Sequence, residues 1–386
     1  MKFSTRLPHG VQKNALSLLL EAKRLAGAEV LDLTESNPTR AGIVYPDGFL
    51  DALSDPRAAI YEPEPFGLPA AREFIAEQYD APAEQVVMTA STSEAYSWLF
   101  KLLCDPGDEV LVPRPSYPLF DYLAALESAV VRHYSLFYDH GSWYIDFHTI
   151  RQALTDKTRA IIVVNPNNPT GNFIQGHELK ELGELCEARD IAIISDEVFR
   201  DYAETNGRHS GCPWTIRGDN ALAFSLHGLS KSVGLPQLKL AWMIVSGPEP
   251  SVRDALQRLE MIADTYLSVG TPVQFALPAL LALREPVQRQ IMARIRENQV
   301  ALWKSELNTH SGEAGWYAIV KHSRGDDFAE ALLRDQNVLV QPGYFYDFEG
   351  AGYLVLSLLT KPDVFREGVT RLRSECDRNL PPSSEA

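Results

Sequence analysis

Short apolar runs recur through the middle of the chain. They are V-V-M-T-A (86–90), E-V-L-V-P (109–113), A-V-V-R-H-Y-S-L (129–136), A-I-I-V-V-N (160–165), I-A-I-I-S-D (191–196), A-L-A-F-S-L (221–226) and L-A-W-M-I-V (240–245). Several are apolar at consecutive positions, so both faces of the strand are covered, as in a parallel sheet layered between helices. Segments with apolar positions three and four apart, such as Glu94–Leu103 and Glu178–Arg189, separate most of them. The pattern predicts an α/β fold: a large domain with a mainly parallel, seven-stranded sheet flanked by helices.

The ends read differently. Val11–Ala26 has helical apolar spacing, and V-L-D-L-T-E-S-N-P-T (30–39) reads as a short strand running into a loop. Beyond about residue 285 a long charged helical pattern (Glu285–Leu307) leads to strands G-W-Y-A-I-V and Y-L-V-L-S-L, then a last helix near Asp363–Arg373. This predicts a smaller α+β domain. The expected division is 1–45 as N-terminal arm and part of the small domain, 46–284 as the large domain and 285–386 as the C-terminal small domain. The segment P-P-S-S-E-A (381–386) is expected to be disordered.

Composition narrows the function classes. A chain of 386 residues with 45% hydrophobic and 23% charged content can bury a sizeable core. The formal net charge of −15 argues against nucleic acid and anionic membrane as partners, since both need clustered Lys and Arg. The cysteines at 104, 186, 212 and 376 have neither zinc nor C-x-x-C spacing, so no metal is expected. The start, M-K-F-S-T-R-L-P-H-G, has no apolar signal core, and no run approaches the ~20 apolar residues of a membrane helix. A cytoplasmic location is the expectation.

Three polar motifs follow apolar strands. V-V-N-P-N-N-P-T-G-N (163–172) forces an irregular turn and offers the Asn168 amide at a strand end. I-I-S-D-E-V-F-R-D-Y (193–202) puts Asp196 at the end of another strand, where a buried carboxylate needs a cation. S-L-H-G-L-S-K-S-V-G-L-P-Q-L-K-L-A-W (225–242) shields Lys231 among Ser, Gly and apolar residues, which favours its neutral, nucleophilic amine. Taken singly, each also fits a bland role: a turn, a helix cap, a surface lysine.

Together and in this order, the three motifs resemble the fold-type-I, class I/II aminotransferase family over roughly residues 28–375. The resemblance implies pyridoxal 5'-phosphate, carried as a Schiff base on Lys231, with that lysine as general acid and base. It implies that Asp196 keeps the pyridine nitrogen protonated, making the ring an electron sink. Asn168 would donate to the phenolic oxygen, and Tyr117 of P-R-P-S-Y-P (113–118) would stack on the ring. Ser91 and Thr92 of V-M-T-A-S-T-S-E-A (87–95), with Ser230, would bind the phosphate at a helix start. Tyr61 would reach the phosphate of the neighbouring subunit, which implies a homodimer.

The match departs from the family at four places. Lys239 stands where an Arg usually binds the phosphate, and lacks the bidentate fork. Gly228 stands where a phosphate-binding Ser or Thr is common, and Phe199 where a Tyr commonly binds the phenolic oxygen. Val355 of G-Y-L-V-L-S-L stands where the family carries the Arg that grips the substrate carboxylate. Arg40 in the E-S-N-P-T-R-A-G loop, beside Asn37, is a candidate replacement, and Arg114 a weaker one. Tyr344, Tyr346 and Tyr353 make the pocket wall aromatic. The expected activity is transamination of an amino acid or related amine. The alternatives are a lyase, decarboxylase or cyclase built on the same cofactor, and a non-catalytic ligand-binding relative.

Overall fold

The computed structural model describes residues 2–7, 12–203, 215–310, 312–325 and 327–378. The 381–386 tail and Cys212 lie outside the described residues.

The strands of the large sheet are β1 (Val86–Thr89), β2 (Glu109–Arg114), β3 (Val130–Asp139), β4 (Ser142–Ile145), β5 (Thr158–Val164), β6 (Ala192–Asp196), β7 (Ala223–Gly228) and β8 (Ala241–Ser246). Their spatial order is β1-β8-β7-β6-β5-β2-β3-β4. The run from β7 through β3 is parallel, and both edges are antiparallel. The seven apolar runs of the sequence are seven of these strands. The eighth, β4, corrects the expected count. It closes a hairpin on β3 through His140 and Gly141, both at positive φ (46° and 85°), as a tight two-residue hairpin turn requires. Its S-W-Y-I is too short and mixed to announce a strand by periodicity.

β5 shows why the central runs are continuously apolar. Ala160, Ile162 and Val164 enter one core with Leu99 and Leu259, from helices Thr92–Leu103 and Glu249–Tyr266. Ile161 and Val163 enter another with Leu182 of helix Gly176–Arg189. Each such Val, Ile or Leu side chain stabilises the fold by roughly 1.5–3 kcal/mol when fully buried.

A second sheet has the antiparallel order Thr309–His310, Tyr317–Lys321, Tyr353–Ser357, Gln341–Pro342. Helices Arg284–Lys304, Phe328–Gln336 and Pro362–Asp377 accompany it. The N-terminal segment joins this unit: Leu31–Asp32 pairs in parallel with Val338–Leu339. Helix Ala15–Leu25, capped by Asn14, packs Leu16 against Leu333 and Leu339.

Two features position the site. The carboxyl ends of β5, β6 and β7 lie side by side, with Val164 paired to Asp196 and Asp196 to Leu226. Open α/β sheets bind ligands outside such ends. Residues 312–316 of the smaller unit then strap across: Glu313 N donates to Gly171 O (3.0 Å) and Gly315 N to Tyr202 O (3.3 Å).

Candidate active site

Lys231 sits in the short helix Leu229–Ser232, immediately after β7. It is half-buried. Its Nζ lies 4.8 Å from the Trp316 ring centroid and 5.1 Å from that of Phe199. Burial lowers its pKa to about 8, against the opposing pull of Asp196. A useful fraction of the amine is therefore neutral near physiological pH. Tyr202 Oη donates to Lys231 O at 2.6 Å and fixes the backbone.

Asp196 ends β6 and is buried. Burial raises its carboxyl to about 6, although Val198 N (3.2 Å), Tyr96 Oη (3.1 Å) and the Lys231 charge favour the ionised form. The remaining demand for a cation is what the carboxylate would present to a ligand. Asn168 lies in the loop after β5 and is buried, and its Oδ1 has no hydrogen-bond partner. Such orphans mark sites where a ligand group is expected. Asn167 beside it is fully engaged, donating to Pro115 O and Thr170 Oγ1 and accepting from Ser116 Oγ. Tyr117 is half-buried, and burial, then Asp196 and Tyr317, raise its hydroxyl to about 12.

At the end of β1, Ser91 caps helix Thr92–Leu103, its Oγ accepting from Glu94 N at 3.1 Å. The Glu94 carboxylate turns back to Ala90 N (2.6 Å) and Ser268 Oγ (2.7 Å). The first-turn amides around Thr92 have no partner within the helix. Ser230 is half-buried beside Lys231. Gly228 explains one departure from the family pattern. A Cβ there would lie 3.0 Å from Ala241 Cβ and 3.3 Å from Leu240 O, so a hydroxyl-bearing side chain requires β8 to shift.

The other expected residues differ in exposure and partners. Lys239 is exposed, on a turn with φ 51°. Tyr61 is 77% exposed on the rim of a 320 Å³ cleft shared with Trp98 and Thr271. Asn37 is half-buried, and its Oδ1 accepts from Thr39 N and Oγ1. Arg40 is exposed, with no ion pair among the described residues. Arg114 pairs with Glu349, which weakens its case as a substrate-binding cation. Val355 is 0% exposed, paired with Ile319 and Gln341 inside the core, so it offers no open surface.

Sequence reasoning missed Trp316 and Tyr317. Tyr317 stands 6.1 Å from Phe199 and 6.4 Å from Tyr346, ring to ring. The G-W-Y run was visible as a strand start, but which aromatic approaches Lys231 depends on the strap at 312–316. Tyr96 was also missed, since nothing local in its helix signals a partner a hundred residues away. Among the described residues no cluster of three or more His, Cys, Asp or Glu could hold a metal ion, and no helix is long and apolar enough to cross a membrane.

A shielded lysine and a buried carboxylate on adjacent strand ends, on this sheet order, define a fold-type-I transferase. Residues 30–371 match the family described as aminotransferase class I and II. The glutamate-pyruvate aminotransferase AlaA of Escherichia coli (strain K12) is 30% identical over 298 residues, covering 74% of this chain and 73% of its own. Nicotianamine aminotransferase B of Hordeum vulgare is 27% identical over 91% of this chain and 68% of its own. Among solved structures, an alanine aminotransferase from Pyrococcus furiosus superimposes with a TM-score of 0.85. It is 25% identical and covers 98% of this chain and 100% of its own. The chain belongs to the class I and II aminotransferase family, and it is an aminotransferase.

Proposed function

We propose that the chain uses pyridoxal 5'-phosphate to transaminate an amino acid or related amine, as a cytoplasmic homodimer, with Lys231 as its covalent anchor. The residues present fit that group. A buried carboxylate lacks a full counter-charge at Asp196, an amide oxygen is orphaned at Asn168, and a helix start faces the same strand ends at Ser91 and Thr92. When bound, the cofactor supplies an electron sink for charge developing at the amine-bearing carbon.

The protein's own groups then have distinct tasks. With the cofactor bound, Asp196 would pair with its ring nitrogen and favour the protonated form. Asn168 would donate to the phenolic oxygen once its amide presents Nδ2. Tyr117 would cover one ring face. Ser91, Thr92, Ser230 and Lys239 would hold the phosphate, joined by a Tyr61 contributed across a homodimer. Lys231 Nζ, neutral in useful proportion, would serve as the base that accepts and returns the substrate-carbon proton. Phe199 contributes no donor to the phenolic oxygen. AlaA and nicotianamine aminotransferase B, by their names, support an amino-acid donor.

The observation that carries this reading is the pair itself: Lys231 and Asp196 titrate toward each other from adjacent strand ends, each shifted by burial. The buried Val355 gives the lyase, decarboxylase or cyclase reading its one support. An amino-acid panel separates them. Transamination converts the bound cofactor to its amine form, with loss of the visible absorption band, whereas the other chemistries return the starting spectrum. A returned spectrum with every amino acid tried would overturn the transaminase reading.

A further inference from the structure

We infer that Ser116 and Asn167 are a positioning pair: their side-chain hydrogen bonds lock the Tyr117 loop to the Asn168 loop, and so set what the site presents to the cofactor's ring face and phenolic edge. The inference rests on the cofactor reading above.

The two loops need a lock because the sheet does not supply one. Pairing between β2 and β5 runs only to Leu111 and Ile161, three residues short of Arg114 and Val164, where the strands end. Pro113 has no N–H with which to continue the ladder, and Ile162 O is taken instead by Tyr134 Oη of β3 at 2.8 Å. Side chains make the join further on. Ser116 Oγ donates to Asn167 Oδ1 at 3.0 Å, and Asn167 Nδ2 donates back to Pro115 O at 2.9 Å, which closes a two-bond clasp.

The clasp is anchored on both sides. Ser116 N donates to Tyr346 O of the smaller unit at 2.9 Å, which fixes the backbone that aims its hydroxyl. Asn167 Nδ2 also donates to Thr170 Oγ1 (2.7 Å), which in turn donates to Asn172 Oδ1 (2.5 Å). Ser116 and Asn167 are 3% and 4% exposed, so water does not take the place of these bonds. Each precedes a residue assigned to the cofactor: Tyr117, and Asn168 with its partnerless Oδ1. The Asn167 amide is spent on the clasp, and that leaves the Asn168 amide for a ligand.

The test is Ser116→Ala, read by the pH midpoint of the visible band of the cofactor-loaded protein and by absorbance titration of the apoprotein with pyridoxal 5'-phosphate. The substitution removes one hydroxyl, leaves Asn167 Oδ1 without its donor and frees the Tyr117 loop from the Asn168 loop. A donor at the phenolic oxygen favours its ionised form, so a displaced Asn168 should raise the midpoint by about one pH unit, which is about a 10-fold change in proton affinity. Cofactor affinity should fall by about 10-fold. A merely structural role would lower the melting temperature and move neither quantity. Asn167→Ala should shift both in the same direction, and the double variant should go no further than the larger single shift, because each substitution opens the same clasp. If Ser116→Ala fails to fold by circular dichroism, Ser116→Cys, with a weaker donor at the same place, is read instead and should move both quantities the same way. A midpoint and affinity unchanged in the folded variant, or additive shifts in the double variant, overturn the inference and leave the cofactor reading intact. If the wild type shows no visible band with the cofactor, the cofactor reading itself falls, and this inference with it.

Discussion

Tyr96 and Asp196 meet across a hundred residues: Tyr96 Oη, on helix Thr92–Leu103, donates to Asp196 Oδ2 at 3.1 Å in a buried setting. The hydrogen bond favours the ionised carboxylate against the burial that opposes it. Tyr96→Phe removes that donor without emptying the space, so the Asp196 carboxyl should rise further. A hydrogen bond to a charged group is worth about 1.5–3 kcal/mol, which predicts a loss of about 10- to 100-fold in cofactor affinity near neutral pH. An absorbance titration of the apoprotein with pyridoxal 5'-phosphate measures it.

The two shifted groups set the pH dependence of the apoprotein. Asp196 is raised from 3.8 to about 6 in the fold, so the folded state binds the extra proton and stability falls as pH rises between those values. Lys231 is lowered from 10.5 to about 8, so the unfolded state binds the extra proton. Its penalty is complete below pH 8 and is relieved as pH rises toward 10.5. Lys231→Met should therefore stabilise the apoprotein at pH 7, on the order of 1–3 kcal/mol. Urea unfolding at pH 7 and pH 10.5 checks it, with the gain expected to shrink at the higher pH.

Cofactor affinity should carry an acid limb near pH 6, because protonating Asp196 removes the counter-charge for the ring nitrogen. Asp196→Asn should abolish that limb and weaken binding at neutral pH. Equilibrium dialysis across pH 5–8 reads both.

Gly171 is where the strap touches the large sheet's loop. Its φ is 72°, and a Cβ there would lie 2.3 Å from Ala314 O. Gly171→Ala must move the 312–316 segment and Trp316 with it. The expected cost is about 1–3 kcal/mol, from the strained backbone and the contact together. Thermal unfolding reports the cost, and Trp316 fluorescence reports the displacement.

Arg40→Ala should change amine affinity by less than about 2-fold, since the side chain is solvated and unpaired among the described residues. A loss above about 10-fold would make Arg40 the carboxylate's partner instead.

Much of this was legible along the chain. The seven buried strands announced themselves because two-sided burial leaves continuous apolar runs. The placement of Lys231, Asp196 and Asn168 at neighbouring strand ends was legible because each follows such a run, and parallel strands bring their ends together. β4 was not legible, because its identity rests on a two-residue turn. Tyr96 and Trp316 were not legible either. Tyr96 reaches Asp196 by tertiary packing, and Trp316 reaches Lys231 through backbone hydrogen bonds from a strap on the other sheet. The burial of Val355 was invisible as well: the letter alone marked a missing arginine, whereas the fold seals the position.

The most direct measurement is the visible absorption of the purified protein with added pyridoxal 5'-phosphate, for the wild type and for Lys231→Ala. The wild type should show a visible band from covalently held cofactor, lost in the variant with the fold intact by circular dichroism. A band unchanged by the substitution would contradict it.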